Sequence, residues 1–313
     1  YGDHRDLHLS IRRQRQMCIR DRLLTIPLYA QEIIPVKHQK WDLKSYNENS
    51  ILISKQEGIW LDNISVPEMS LYKAEGDSIT DKAIIICPGG GLFFSAYEKE
   101  GTKLALKLAL NGITAIVLKY RTYPRKGSVI EWSKTLWDKP QMEIDSAKMI
   151  LPFSSKDALS AIEEIRINAK KYKINPNKIG LMGFSAGGAV TMESAYTSTS
   201  RNQPNFIAPI YPWMDIVDKQ KVPLNKPPVF VSCANDDPFK LAASSVKIYQ
   251  DWILAGAKAE LHMFSNGGHG YGMNKIDAPV DRWSQLLICL LYTSPSPRDQ
   301  RGSGFAGWGW KKK

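Results

Sequence analysis

A hydroxyl, a carboxyl and an imidazole follow one another along this chain, each in a loop-like stretch after an apolar run. Ser185 lies in Gly183-Phe184-Ser185-Ala186-Gly187, Asp237 in Asn235-Asp236-Asp237-Pro238, and His269 in Gly267-Gly268-His269-Gly270. A serine hydroxyl is a weak nucleophile at neutral pH. It attacks a carbonyl only when an adjacent base takes its proton and a third group orients that base. These three residue types are the ones such chemistry needs. The pentapeptide alone is weak evidence, since a chain of this length shows Gly-x-Ser-x-Gly by chance about 0.1 times. It also fits an ordinary glycine-rich turn. Asp237 is the preferred acid because Pro238 follows it, with Asp236 as the alternative; either could instead cap the helix that follows.

A fourth stretch, Pro88-Gly89-Gly90-Gly91, also follows an apolar run. A glycine-rich loop can cradle phosphate, but no Gly-Lys-Ser/Thr follows and no G-x-G-x-x-G can be read. The better reading is an oxyanion loop. The amides of Gly90 and Gly91, with that of Ala186, would face the negative charge developing on an attacked carbonyl. There is no His-Glu-x-x-His and no Cys-x-x-Cys, so no metal or other cofactor is expected. Among the other interior histidines, His262 lies mid-strand and His38 lies near the signal-peptide junction, and both read as structural or solvated.

These residues need elements to bring them together. Ala83-Ile84-Ile85-Ile86-Cys87, residues 113–120, 179–184, 206–212, 228–233 and 259–264 are apolar runs of strand length. Several are continuous, as strands buried on both faces should be. Helical segments separate them: 97–111, 156–172, 188–195, 241–255 and a last one over 280–288. Short alternating runs at 51–53 and 66–72 read as opening strands at a sheet edge. Residues 121–151 have no clear period and read as a cap-like insertion. Alternating strands and helices predict an α/β domain with a doubly wound, mostly parallel sheet and flanking helices. In such sheets function gathers at the carboxyl ends of the strands. Gly90, Ser185, Asp237 and His269 each fall just after one, and the order serine, acid, histidine is that of the α/β-hydrolase fold.

The ends read differently. Residues 12–22 and 289–299 resemble translated sequencing-adapter sequence, so 1–22 and 289–313 are set aside as non-native and the last helix is expected to be truncated. The domain then spans 31–288. The whole chain has 42 basic and 31 acidic residues, a net of +11. Without the flanks it keeps 31 basic and 27 acidic, a net of +4, which removes the main argument for a nucleic-acid partner. Residues 23–30 are short, apolar and end in Ala30. They read as the remnant of a signal peptide cleaved before Gln31, implying a periplasmic or secreted protein without membrane insertion. Cys87 and Cys233 read as small buried hydrophobes.

Five stretches occur together in order: Ile86-Cys87-Pro88-Gly89-Gly90-Gly91, Val117-Leu118-Lys119-Tyr120-Arg121, Gly183-Phe184-Ser185-Ala186-Gly187-Gly188, Ala259-Glu260-Leu261-His262 and Gly267-Gly268-His269-Gly270-Tyr271-Gly272. Together they resemble the secreted α/β-hydrolase esterases of carbohydrate-degrading bacteria. That group is labelled acetyl-xylan esterase or acetylesterase and is similar to the hormone-sensitive-lipase and feruloyl-esterase-like branches. The resemblance implies a serine carboxylesterase acting on small acyl esters, acetyl groups on plant polysaccharide or oligosaccharide among them. Phe93, Phe94, Trp213 and Tyr271 are candidate pocket residues, by stacking on sugar or by core packing. Two other readings remain: a serine peptidase of the prolyl-oligopeptidase type, and a catalytically silent carbohydrate-binding relative. An intact Ser185, Asp237 and His269 argue against the last.

Overall fold

The computed structural model describes residues 30–293 except 77, 135–139 and 219. The adapter-like run at 12–22, the segment at 23–29 and the tail from 294 lie outside the described residues.

Ala83–Cys87 (β5) and Ile179–Phe184 (β8) are buried at every position and lie side by side at the centre of an eight-stranded sheet. Both are continuous apolar runs because helices cover both faces. Thr114–Lys119 (β7), Ile207–Ile210 (β9), Val229–Ala234 (β10) and Ala259–Phe264 (β11) complete a parallel set in the order β7-β5-β8-β9-β10-β11. At one edge Glu68–Tyr72 (β4) and Glu32–Pro35 (β1) add antiparallel to β7. The mostly parallel sheet with flanking helices is therefore the α/β architecture expected from the sequence.

Side chains alternate between the faces of the sheet. Ile85, Leu118 and Leu181 pack against Ala158, Ile162 and Ile165 of the Pro140–Ile167 helix. Ile84, Ile86, Val117 and Met182 pack on the opposite face against Leu104, Leu108, Trp283 and Leu287. Register aligns the strand ends: Cys87 pairs with Gly183, Phe184 and Ser232 each pair with Ile210, and Ala234 pairs with Phe264. The loops that follow these strands therefore leave from one edge. Among the described residues no helix is long and apolar enough to cross a membrane.

Four features differ from the sequence expectation. The edge strand is Glu32–Pro35, a run too short to stand out beside the apolar segment before it. Asn49–Ser54 (β2) pairs with Gly58–Asp62 (β3), and β3 with Phe94–Ser95 (β6), in a separate three-stranded sheet rather than at the edge of the main one. Residues 121–151 do not stay apart as a loop. They hold the Val129–Lys134 helix and the first part of Pro140–Ile167, whose Ala147, Ile150 and Leu151 are buried in the core. Pro152 hides that helix in the sequence, because an interior proline removes a hydrogen bond and reads as a break. The last helix, Trp283–Thr293, continues past 288: Leu291 is buried, and the Tyr292 hydroxyl donates to the Ser78 carbonyl at 3.0 Å.

Candidate active site

Ser185 stands at the junction of β8 and the Ala186–Thr197 helix, with φ 52° and ψ −117°. Such a conformation costs on the order of 1–3 kcal/mol and persists only where the surroundings enforce it. Here they do. The Ser185 amide donates to the Ile210 carbonyl at 3.0 Å, and its carbonyl accepts from the amides of Trp213 at 3.0 Å and Ala189 at 3.1 Å. The turn is tight enough to demand glycine on both sides. A Cβ on Gly183 would lie 2.0 Å from the Gly187 carbonyl oxygen, and one on Gly187 would lie 2.1 Å from the Cys87 carbonyl oxygen. The side chain is thereby lifted above the carboxyl edge of the sheet, as in a nucleophile elbow.

His269 arrives from the loop after β11 and Asp237 from the loop after β10. The imidazole Nε2 lies 3.0 Å from Ser185 Oγ, and Nδ1 lies 2.8 Å from Asp237 Oδ2. An ionised carboxylate only accepts, so the consistent tautomer has Nδ1–H donating to Asp237 and Nε2 accepting from the serine hydroxyl. The Asp237 side chain is fully buried, and its Oδ1 accepts the Phe239 amide at 2.8 Å. Asp236 does something else: its Oδ1 accepts the Gly268 amide at 2.8 Å, next to the histidine. The rings of Phe239 and Tyr211 meet the imidazole edge-on at 4.5 and 5.0 Å. His262 is elsewhere, bonded to Glu260 at 2.6 Å, and His38 lies 3.0 Å from the Val36 carbonyl.

The glycine loop leaves β5 beside the elbow. Gly90 has φ +134°, and a Cβ there would lie 2.1 Å from the Phe94 carbonyl oxygen. The Gly90 carbonyl accepts the amides of Phe93 and Phe94 at 3.0 and 3.1 Å, and the Gly89 carbonyl accepts that of Ala96 at 2.9 Å. The Gly89 amide donates to Glu100 Oε2 at 2.7 Å. None of these bonds uses the amides of Gly90, Gly91 or Ala186. The loop is thus folded by the carbonyls of Gly89 and Gly90 and by the Gly89 amide.

Glu100 was not singled out by the sequence. It sits in a π-helical turn, Tyr97–Thr102, that leads into the Lys103–Leu110 helix. It is buried, as is the neighbouring Lys99, which pairs with Glu57 at 2.6 Å. Glu100 Oε1 accepts the Tyr211 hydroxyl at 2.8 Å, and that hydroxyl accepts the Gly272 amide at 3.1 Å. Burial, and then the Glu100 charge, push the Tyr211 phenol well above its ordinary value, so it stays protonated and donates. One signal in the sequence pointed here. Glu100, Leu104 and Leu108 fall on one helical stripe, which puts a carboxylate at the head of a buried apolar face.

The four aromatic candidates separate. Phe94 is half-buried and stacks on Trp60 with centroids 4.0 Å apart. Phe93 is buried against Trp132 at 4.5 Å and Tyr123 at 5.6 Å. Trp213 is half-buried beside the elbow. Tyr271 is only 3 % exposed, its hydroxyl 2.9 Å from Ser232 Oγ and its ring between Tyr211 and Trp283. It packs in the core rather than lining an open surface. Cys87 and Cys233 are free and buried, and burial pushes the Cys233 thiol up to about 11. Among the described residues no group of three or more His, Cys, Asp or Glu side chains is placed to hold a metal ion.

The chain is 24% identical over 248 residues to an acetylxylan esterase of Xylanibacter ruminicola, a match covering 70% of this chain and 47% of that protein. The chain therefore spans less than half the length of that relative. Among solved structures, an acetyl ester-xyloside bifunctional hydrolase from Caldicellulosiruptor lactoaceticus superposes with a TM-score of 0.56 at 23% identity, covering 84% of this chain and 96% of the other. An α/β hydrolase from a Medee basin deep-sea metagenome library gives 0.56 at 24% identity, covering 80% and 98%. These likenesses establish the fold. Residues 78–285 match the family model of the dienelactone hydrolases, a span that runs from just before β5 into the final helix and includes all four loops of the site; the chain belongs to the dienelactone hydrolase family.

Proposed function

We propose that the protein is a serine carboxylesterase that removes small acyl groups, acetyl among them, from acylated carbohydrates. The observation that carries this reading is the continuous chain from Ser185 Oγ through His269 to the buried carboxylate of Asp237, with links of 3.0 and 2.8 Å. Ser185 Oγ attacks the ester carbonyl while its proton passes to His269 Nε2. Asp237 holds the imidazole in orientation and stabilises the imidazolium that forms. The amides of Gly90, Gly91 and Ala186 receive the oxyanion, and losing one such donor costs about 10²–10³ in kcat. The tetrahedral adduct collapses as His269 returns the proton to the departing alcohol oxygen. Water then repeats the sequence against the acyl-enzyme: His269 takes its proton, and the carboxylic acid leaves as Ser185 recovers its hydrogen.

The carbohydrate side of the proposal is supported by the aromatic surface at the glycine loop, where Phe94, Trp60 and Trp132 gather, and by the acetylated-xylan activity in the relative's name. The test is hydrolysis of p-nitrophenyl acetate and release of acetate from acetylated xylan. Ser185→Ala is expected to lower kcat by about 10⁶, the usual size of such a loss in a serine triad. A fluorophosphonate is expected to label Ser185 in the wild type. Unchanged turnover in the variant would sink the proposal.

A further inference from the structure

We propose that Glu100 is a positioning residue, a carboxylate clamp that holds the glycine loop and the histidine loop in register through Tyr211. The proposal rests on the esterase reading for what the two loops do. Its own basis is geometric. One buried carboxylate spans two loops: Oε2 takes the Gly89 amide at 2.7 Å, and Oε1 takes the Tyr211 hydroxyl at 2.8 Å. That hydroxyl in turn takes the Gly272 amide at 3.1 Å, three residues beyond His269.

Contact reinforces the bonds. A Cβ on Gly272 would lie 3.0 Å from Glu100 Cγ and 3.0 Å from Lys99 Cγ, so the histidine loop rests on this π-helical turn. The Met273 amide donates to the Lys99 carbonyl at 3.3 Å. Tyr211 is itself fixed: its backbone has φ 36°, its amide donates to the Ser232 carbonyl at 2.7 Å, and its ring lies 5.0 Å from the imidazole. A π-helical turn is uncommon and is found frequently at functional sites. Here it aims Glu100 at two loops that approach from opposite sides of the elbow.

The requirement is for a carboxylate specifically. Both partners donate to it: the Gly89 amide has only a hydrogen to give, and the Tyr211 hydroxyl gives its one hydrogen to Oε1 while accepting from Gly272. A carboxamide offers one acceptor and one donor, so Glu100→Gln must lose or reverse one of the two bonds. The amide-bearing peptides of the glycine loop and the imidazole then drift relative to each other. Misplacement by about 1 Å is enough to cost about 10² in rate.

The experiment compares wild type with Glu100→Gln and Tyr211→Phe. With p-nitrophenyl acetate, each variant is expected to lose about 10²-fold in kcat while KM moves by less than about threefold, since positioning acts in the transition state. Hydrogen exchange reads the clamp without turnover. In Glu100→Gln, peptides covering 88–96 and 267–273 are both expected to exchange faster. Tyr211→Phe keeps the ring and removes only the hydroxyl, so it reads the same link if Glu100→Gln does not fold. Faster exchange confined to the loop nearest each substitution would overturn the clamp, as would unchanged kcat in either folded variant. A wild type with no turnover and no label at Ser185 overturns the esterase reading, and the exchange of the two peptides still decides the clamp.

Discussion

Asp236 and Asp237 are adjacent, carry the same side chain and follow the same strand, yet they bind different partners. Asp237 Oδ2 faces His269 Nδ1 at 2.8 Å, whereas Asp236 Oδ1 holds the Gly268 amide at 2.8 Å. An asparagine at 237 can turn its amide nitrogen toward Nδ1 and force the wrong imidazole tautomer. Asp237→Asn is therefore expected to lower kcat by about 10⁴ with little change in fold. An asparagine at 236 still offers an oxygen to the Gly268 amide, so Asp236→Asn should stay within about tenfold of wild type, the worth of one exposed hydrogen bond. Measuring kcat for both with one p-nitrophenyl ester checks the assignment; comparable losses would contradict it. The sequence could narrow the acid to this pair but not choose by contact, because the choice depends on which carboxylate the loop after β11 meets. Glu100 was harder still. Its partner Tyr211 lies 111 residues away, and the stripe it shares with Leu104 and Leu108 does not say which loops its carboxylate meets.

The elbow works as an element because strand and helix approach more closely than any side chain allows. Gly187→Ala would drive a methyl group to 2.1 Å from the Cys87 carbonyl oxygen, in backbone that cannot swing aside. Overpacking of this kind costs about 1–3 kcal/mol and can cost more. The variant is expected to melt earlier in denaturant and to lose turnover of p-nitrophenyl acetate along with the Ser185 geometry. Retention of full stability would show that β5 and the Ala186–Thr197 helix can part. This part of the fold was legible because parallel strands buried on both faces leave long apolar runs, and because close approach leaves glycines. The Pro140–Ile167 helix was legible only in its second half. Pro152 interrupts its period just before the stretch that reads as helical from 156 onward. The small β2-β3-β6 sheet left little trace, since its strands are short and mix buried, half-buried and exposed positions.

At the scale of the molecule, the strand set and the long helix are tied by one charged pair that water does not reach. Arg121 and Asp157 are both fully buried. The guanidinium Nε donates to Oδ2 at 2.8 Å and Nη2 to Oδ1 at 2.5 Å, while the Arg121 amide donates to Oδ2 at 3.1 Å. Nη1 reaches the Gln39 carbonyl at 2.7 Å, and Trp41 and Phe153 flank the guanidinium at 5.4 and 5.3 Å. Two residues on, the Tyr123 amide donates to the Leu92 carbonyl at 2.7 Å, so this anchor also steadies the far end of the glycine loop. A buried pair of this kind need not stabilise more than an apolar pair of equal volume, but removing one partner strands the other charge at a cost of about 3–5 kcal/mol. Asp157→Ala is thus expected to lose about that much in urea unfolding. Arg121→Met combined with Asp157→Leu should lose less than Asp157→Ala alone, because no charge is left buried. A loss below about 1 kcal/mol for Asp157→Ala would place the pair with exposed salt bridges, whose worth is of that size, and would mean that water reaches Arg121 once Asp157 is gone.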